Sequence, residues 1–589
     1  MSTRRVQSSA IKPRTLGAAT AVTPWVRNPS WLALTAVGDS EQKFSGLVAV
    51  FPQGSYLALS ATGNYTVDWG DGTTANVNTG DTALKLYDFG DVDLDGTNAP
   101  VDLTDTGDLV ERTAHGYSNG MEVRFYNIVD TTGLTAAQVY YVINATTNNF
   151  QVAATVGGSA IALTTDGSAT LLPYKQAIVV VTPNGGTLTS ININVKNTTS
   201  GLQTYETGWL DIEVGSPNFT SITLGGSNVR FAMLERAAVR SIGSITNLGG
   251  LFTNFIKLQA VVLGNTASVT SMVNMFSGCF SLTTVALFST AAVTGMTGMF
   301  FQCRSLTIVP LFNTAAVTSM EEMFRQCRSL ATVPLFNTAA VTNMAGMFRE
   351  CGSITTVPRF NAAAVTTMST MFQDCTSLAT VPLFNTAAVT NWSGMFINCF
   401  ALATVPLFNT AAATNMINTF NSCLSLTAVP LFNITACTST IGMFFQCTSL
   451  TTVPLLNTAA VTGMDDMFRA CTSLAAIPLL NTAAATSLSG MFRDCTSLSS
   501  VPALNTTTVS SSGNFSNMFN GCNSLSRIQA EDFRFTFSVA SCKLGAAQLD
   551  EIYTNLPVVV GQTITVSNNV GTTGDDPTIA TAKGWTVTG

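Results

Sequence analysis

Between Leu258 and Cys522 apolar positions recur with a period of 24 residues. The cleanest copy, Asn313 to Phe336, reads N-T-A-A-V-T-S-M-E-E-M-F-R-Q-C-R-S-L-A-T-V-P-L-F. Met320, Met323, Phe324 and Cys327 stand at i, i+3, i+4 and i+7, which predicts a short helix with that face inward. Leu330, Val333 and Leu335 then spell L-x-x-V-x-L and predict a short parallel strand with its leucines inward. Pro334 has no N–H to give to a ladder, so the strand should stop near the valine. Asn313-Thr314 turns the chain, and Val317-Thr318 makes a second short extended piece. A unit this small cannot bury its own apolar face, so a fixed period means coils stacked around a shared core. The prediction is a mixed, β-rich solenoid with a short strand and a short helix per coil. About a dozen coils at ~4.8 Å give a rod of roughly 55 to 60 Å.

The N-terminal part has a different rhythm. Residues 1–40 form a basic arm with Trp25 and Trp31 as isolated aromatics. It is either a loose terminus or a docking peptide, with Arg4, Arg5, Trp25 and Trp31 as its anchors. Residues 41–197 alternate with period two, as in L-V-A-V-F and N-Y-T-V-D-W-G-D-G-T-T ending at Thr74, where Gly70-Asp71-Gly72 is a tight turn. The late strands of this module, Ile178–Val181 and Ile191–Val195, come about a hundred residues on, so a second small β module is inserted at about 88–172. Residues 198–535 are assigned to the solenoid. Its entry coils keep repeat spacing at Phe219, Ile222 and Leu224, and at Leu258, Val261 and Leu263. Residues 536–589 are assigned to a C-terminal cap with a helix from Gly545 to Tyr553 and Trp585 over the last coil.

Charge narrows the function. Charged residues are 10% of the chain and the net charge is −7, against roughly 25% charged in ordinary domains. A phosphate binder needs clustered Lys and Arg, and the body of this chain has neither the excess nor the runs, so no nucleic-acid partner is expected. No run reaches the ~18 apolar residues of a membrane span, and residues 1–38 lack the apolar core of a leader peptide. All thirteen cysteines lie at or after Cys279. Ten, from Cys279 to Cys495, fall one per coil, and Cys522 comes three residues late. Equivalent side chains of stacked coils run parallel, so free buried thiols are expected rather than disulfides.

Candidate chemistry is sparse. His115 is the single histidine, which leaves nucleophilic catalysis one base in a glycine-flanked turn; no enzyme and no cofactor are expected. Asp91, Asp93 and Asp95, with Gly96 and Asp102, have the alternating oxygens of a calcium loop, weighed against a plain acidic loop because helical flanks are missing. Two columns offer surfaces for binding. Phe312, Phe336, Phe360 and Phe384 are exposed if the strand stays straight past the leucines, or buried if the chain bends there. Arg325, Arg349, Arg469 and Arg493 follow the M-F pair on the outer side of the helix, as a binding column or a plain solvated face.

Three resemblances add to this. The strand ending W-G-D-G resembles the PKD-type immunoglobulin-like sandwich. The insert, with T-A-H-G-Y-S-N-G-M-E-V-R-F from Thr113 to Phe125, is similar to a β module of bacteriophage tail and other virion proteins. The V-T-x-M-x-x-M-F-x-x-C repeat resembles the BspA-like leucine-rich repeats of bacterial surface proteins and some phages. Together they imply a multi-copy structural and adhesive virion protein, tail-associated or on the head as a fibre. Its N-terminal region would dock on other virion proteins, and its solenoid would meet a host-surface glycan or protein. The alternatives are a bacterial cell-surface adhesin, a capsid-stabilising decoration protein without host binding, and a glycan-degrading enzyme built on a solenoid.

Overall fold

The computed structural model describes residues 25–28, 31–50, 55–87, 99–112, 117, 119–120, 122–136, 138, 140–155, 157–171, 175–195, 208–225, 233–509, 511–529 and 533–589. Its architecture is β-rich, with a solenoid of about 15 turns.

The alternating N-terminal segment forms strands β1 (Lys43–Val50), β2 (Ser55–Thr62), β3 (Tyr65–Asp68), β4 (Thr74–Val77) and β5 (Thr82–Tyr87). The insert supplies β6 (Ala99–Thr104), β7 (Leu109–Glu111), β8 (Glu122–Val123), β9 (Phe125–Val129), β10 (Tyr140–Ile143), β11 (Asn149–Ala153) and β12 (Gly167–Leu171). These seven pair in the order β8-β10-β11-β7-β6-β12-β9 around a core of their own that includes Val110, Phe125, Tyr140 and Phe150.

After the insert come β13 (Lys175–Pro183), β14 (Ser190–Asn192), β15 (Trp209–Gly215), β16 (Ser221–Thr223), β17 (Arg236–Ser241) and β18 (Ala260–Leu263). One sheet runs β18-β17-β15-β1-β13-β3-β4 and another β16-β14-β2-β5. The strands β13 and β14 therefore lie in different sheets rather than pairing. β1 joins β13 and β15 antiparallel, whereas β15, β17 and β18 are parallel. The first coils of the solenoid thus continue both sheets of the sandwich, and a single hydrophobic cluster runs from Phe44 to Trp585. The sandwich supplies the first ladder partner that a solenoid end otherwise lacks. Its turn is fixed locally: Trp69 is buried, Tyr87 Oη donates to Trp69 O at 2.7 Å, and Asp71 pairs with Lys85.

In the regular coils the predicted inward face is correct, since Met320, Met323, Phe324 and Cys327 are all fully buried. The helix is replaced by linked turns. Met323, Arg325 and Cys327 N–H groups bond three residues back, while Met320, Glu322, Phe324 and Gln326 N–H groups bond the next coil, Phe324 to Met347 O at 2.9 Å. Glu322 and Gln326 take left-handed φ values of 52° and 63° to make this work. The physical reason is the step of the stack. Helices pack ~8 to 10 Å apart and strands ~4.8 Å, so a true helix in a 24-residue coil would force the two sides to climb at different rates. Turns that export every second N–H climb at the strand's rate. Successive Phe rings, from Phe300 to Phe324 to Phe348, stack at 5.6 and 5.7 Å.

Single parallel bridges, such as Ser319 to Asn343 and Asn343 to Thr367, join the middle coils. Regular strands return only at β19 (Ser500–Val501), β20 (Arg527–Ile528), β21 (Phe537–Ser538), β22 (Gln562–Thr565) and β23 (Trp585–Thr588). The C-terminal segment keeps stacking, because β21, β22 and β23 are parallel, and helix α1 (Ala546–Asn555) buries Leu549, Ile552 and Tyr553. Trp585 is buried there and donates to Pro557 O at 2.9 Å. The entry and exit segments are coils themselves, which is why the count exceeds the dozen read from the cysteines.

Candidate functional site

Each coil places its polar groups by rule. Asn313 Oδ1 accepts from Ala315 N, an Asx turn that bends the chain, and the buried Thr314 hydroxyl donates to Asn337 O of the next coil at 2.8 Å. Thr342 Oγ1 donates to Thr318 O, and the same bond recurs down the stack. The cysteines are all free, and they do more than fill space: Cys327 Sγ donates to Phe300 O and Cys351 Sγ to Phe324 O, at 3.1 and 2.9 Å. Burial pushes these thiols up, Cys447 and Cys495 to about 12, so they stay protonated and able to donate. The column is structural and unreactive while folded.

The phenylalanine column is not a surface. Phe312, Phe336, Phe360 and Phe384 are each 2% exposed, and Leu311 and Leu335, expected inside, are 60% and 59% exposed. Phe312 N donates to Pro310 O and Phe360 N to Pro358 O, both at 3.0 Å. That bond closes a three-residue γ-turn centred on the residue after proline. It ends the alternation, turns the phenylalanine inward and pushes its predecessor out. The exposed ladder is therefore leucine: Leu287, Leu311, Leu335, Leu383, Leu407, Leu431, Leu455 and Leu479, with Arg359 in the remaining slot.

The arginine column is paired locally. Arg325 meets Glu322 at 2.6 Å and lies 5.2 Å from the Phe301 ring; Arg349 reaches Glu350 at 3.8 Å. Arg469 pairs with Asp466 at 3.6 Å and Arg493 with Asp494 at 3.5 Å. These are solvated edge pairs of alternating sign, worth little individually, and the structure gathers them into no common pocket. Between Thr283 and Ala503 every charge except Arg359 falls in the turn segment that runs, in one coil, from Met320 to Leu330. The rest of each coil is uncharged, and the leucine ridge lies on it.

The tryptophans of the arm already have partners in this chain. Trp31 is 6% exposed against Leu47, Ala49 and Leu210, and Trp25 Nε1 donates to Glu235 at 3.2 Å. Arg27 pairs with buried Asp211 at 2.9 Å and donates to Trp31 O and Leu32 O. The segment covers the outer face of the β1 sheet, so Trp25 and Trp31 are internal anchors and not free docking side chains. Arg4 and Arg5 lie outside the described residues. So do Asp91, Asp93, Asp95 and His115, while Asp102 is exposed on β6. Among the described residues no three His, Cys, Asp or Glu side chains gather as metal ligands, and no helix is long and apolar enough to cross a membrane.

A column that the sequence reading missed is the left-handed one. Asn274, Gly298, Glu322, Gly346, Thr370, Gly394, Asn418, Gly442, Asp466 and Gly490 all have positive φ. Glycine alternates with a polar residue, a 48-residue period inside the 24-residue one. A Cβ at Gly442 would collide with Asn418 Oδ1, and one at Gly298 with Asn274 Oδ1, so each glycine makes room for its neighbour's side chain. The alternation was visible in the sequence; its cause was not.

A family model described as "Mycoplasma protein of unknown function, DUF285" matches residues 238–334, 318–429, 376–474 and 438–536. The matches together span 238–536, just over half of the 589 residues. No curated relative matches the chain. Among solved structures it is similar to a leucine-rich repeat protein from Bacteroides ovatus, with 18% identity, 57% of this chain and 92% of that one covered, and a TM-score of 0.32. A leucine-rich repeat protein from Eubacterium ventriosum gives 16% identity, 54% and 90% coverage and a TM-score of 0.32. A T. pallidum leucine-rich repeat protein gives 20% identity, 33% and 83% coverage and a TM-score of 0.22.

Proposed function

The chain belongs to the family described as "Mycoplasma protein of unknown function, DUF285", whose description assigns no activity, and from its geometry we propose that it is a non-enzymatic display scaffold on the surface of a bacteriophage particle. The observation that carries the binding role is the continuous core from Phe44 to Trp585. It holds a long surface of exposed Thr, Asn, Ala and Leu in one fixed arrangement, so a partner meets groups already ordered and contact costs little conformational entropy. Weak contacts repeated along the stack and across several copies then add as avidity. The host ligand is a surface glycan or protein. The PKD-like sandwich and the residues before Trp25, including Arg4 and Arg5, attach the scaffold to other virion proteins. The virion assignment is supported by the resemblance of the insert to phage β modules.

The intact chain, labelled and added to host cells, should bind saturably and be displaced by unlabelled chain. Binding should fall when the envelope polysaccharide or the surface protein it uses is stripped. New reducing ends on incubation with that polysaccharide would move the protein to the glycan-degrading class. Absence of any binding would leave the decoration reading. A second reading, a bacterial cell-surface adhesin, is favoured by the bacterium in the family's description; labelling of intact uninfected cells by an antibody to the repeats would establish it.

A further inference from the structure

Eight leucines, from Leu287 to Leu479, are between 44% and 67% exposed and stand in one column with a single interruption at Arg359. A γ-turn after proline turns Leu311 and Leu407 outward, and the other leucines hold the same place in their coils and are likewise exposed. A half-buried proline precedes every one but Leu287, and apart from Arg359 the charges of these coils are all in the turn segments. The ridge is ~40 Å long at one coil per ~4.8 Å. With its prolines it offers on the order of 800 Å² of apolar surface, more than monomers leave in one patch and about what each partner gives to a standard interface.

We infer that this ridge is the contact between two copies of the chain, packed antiparallel about a two-fold axis through Leu383. Period selects the partner. Leucines recur one coil apart, and a second copy carries leucines at that same spacing, so each can meet an apolar partner along the full length. Arg359 selects the direction. In a parallel pair in register, two Arg359 guanidinium groups meet in an apolar seam, where like charges cost most. In the antiparallel pair that centres the ridge from Leu287 to Leu479, Arg359 faces Leu407, Leu287 faces Leu479 and Leu383 faces its own copy. Closed two-fold pairing is also the commonest form of self-association. The paired solenoids present their charged turn edges outward on both sides. The inference deepens the multi-copy reading above but does not need the virion assignment, and failure of one leaves the other standing.

Sedimentation of the intact chain over a concentration series should show a dimer. Leu383→Lys with Leu407→Lys should weaken it at least 100-fold while leaving the far-UV circular dichroism of the folded chain unchanged, since both leucines are exposed. Arg359→Leu should tighten it about 10-fold, the effect of removing an unpaired charge from the seam. Direction is read by cysteine crosslinking, with the native thiols buried: Leu287→Cys chains mixed with Leu479→Cys chains should join, and Leu287→Cys chains alone should not. A monomer at all concentrations overturns the inference, including one whose ridge is shielded by its own N-terminal residues. So does a dimer indifferent to the lysines, and crosslinking of Leu287→Cys chains alone overturns the antiparallel arrangement.

Discussion

Gly442→Ala tests whether the two-coil alternation of glycine is a packing rule. Gly442 sits at φ 59°, where a Cβ costs about 1 to 2 kcal/mol. The new methyl group would also fall inside the contact distance of Asn418 Oδ1, which accepts a hydrogen bond from Asn421 Nδ2 at 3.2 Å. Swinging that amide aside forfeits the bond, about 1 kcal/mol. The single substitution should therefore cost about 2 to 3 kcal/mol, most of it local to two coils. In an Asn418→Gly background the collision has no partner, and only the backbone cost of about 1 to 2 kcal/mol remains. Urea unfolding of the four proteins, followed by far-UV circular dichroism, gives a coupling of about 1 kcal/mol between the sites if the reasoning holds. Strictly additive losses would refute it, and so would an alanine at Gly442 that costs nothing.

Phe372, stacked between Phe348 and Phe396 at 5.7 and 5.6 Å, should cost about 3 to 5 kcal/mol when replaced by alanine; a loss below about 1 kcal/mol in the same unfolding assay would contradict a shared core. All thirteen thiols should be silent to a thiol reagent in the native protein and all should react after denaturation without reductant; early reaction of several would put the column on the surface. Cys327→Ala should lose the Sγ bond to Phe300 O and a little volume, about 1 to 2 kcal/mol by thermal melting, with Cys327→Ser closer to wild type. Burial raises Glu213, but hydrogen bonds from Arg236 and Arg240 overcome it and hold the carboxyl below its ordinary range. Its contribution to stability is therefore full above the unfolded carboxylate value and is lost as pH falls through the lower folded one. Melting temperatures measured from roughly pH 6 down to pH 2 should fall less steeply for Glu213→Gln; equal slopes would contradict the assignment.

What could be read in the sequence was whatever the period itself encodes. The buried set of Met320, Met323, Phe324, Cys327, Leu330 and Val333 follows from spacing alone, because any compact rung must bury it. The backbone that carries it does not follow, since i, i+3, i+4, i+7 describes linked turns as well as a helix. Stack height decides between them, and stack height is a property of neighbours. Leu335 was assigned to the wrong side and Phe336 left open between the two because period-two reasoning assumes an extended chain, and Pro334 ends it one residue too soon. Trp25 and Trp31 looked like unattached anchors because Glu235 is 210 residues from Trp25, and the Leu47, Ala49 and Leu210 surface under Trp31 is formed by strands whose pairing could not be read locally. The uncharged face was present in the composition of every coil. It became a candidate site only once the leucines were found on it.

The most direct test of the display role is immunogold imaging of purified phage particles with an antibody raised against the repeats. The account predicts label on the outside of intact particles, in several copies each, lost when residues 1–24 are deleted. Particles that carry the chain internally, or not at all, would contradict it.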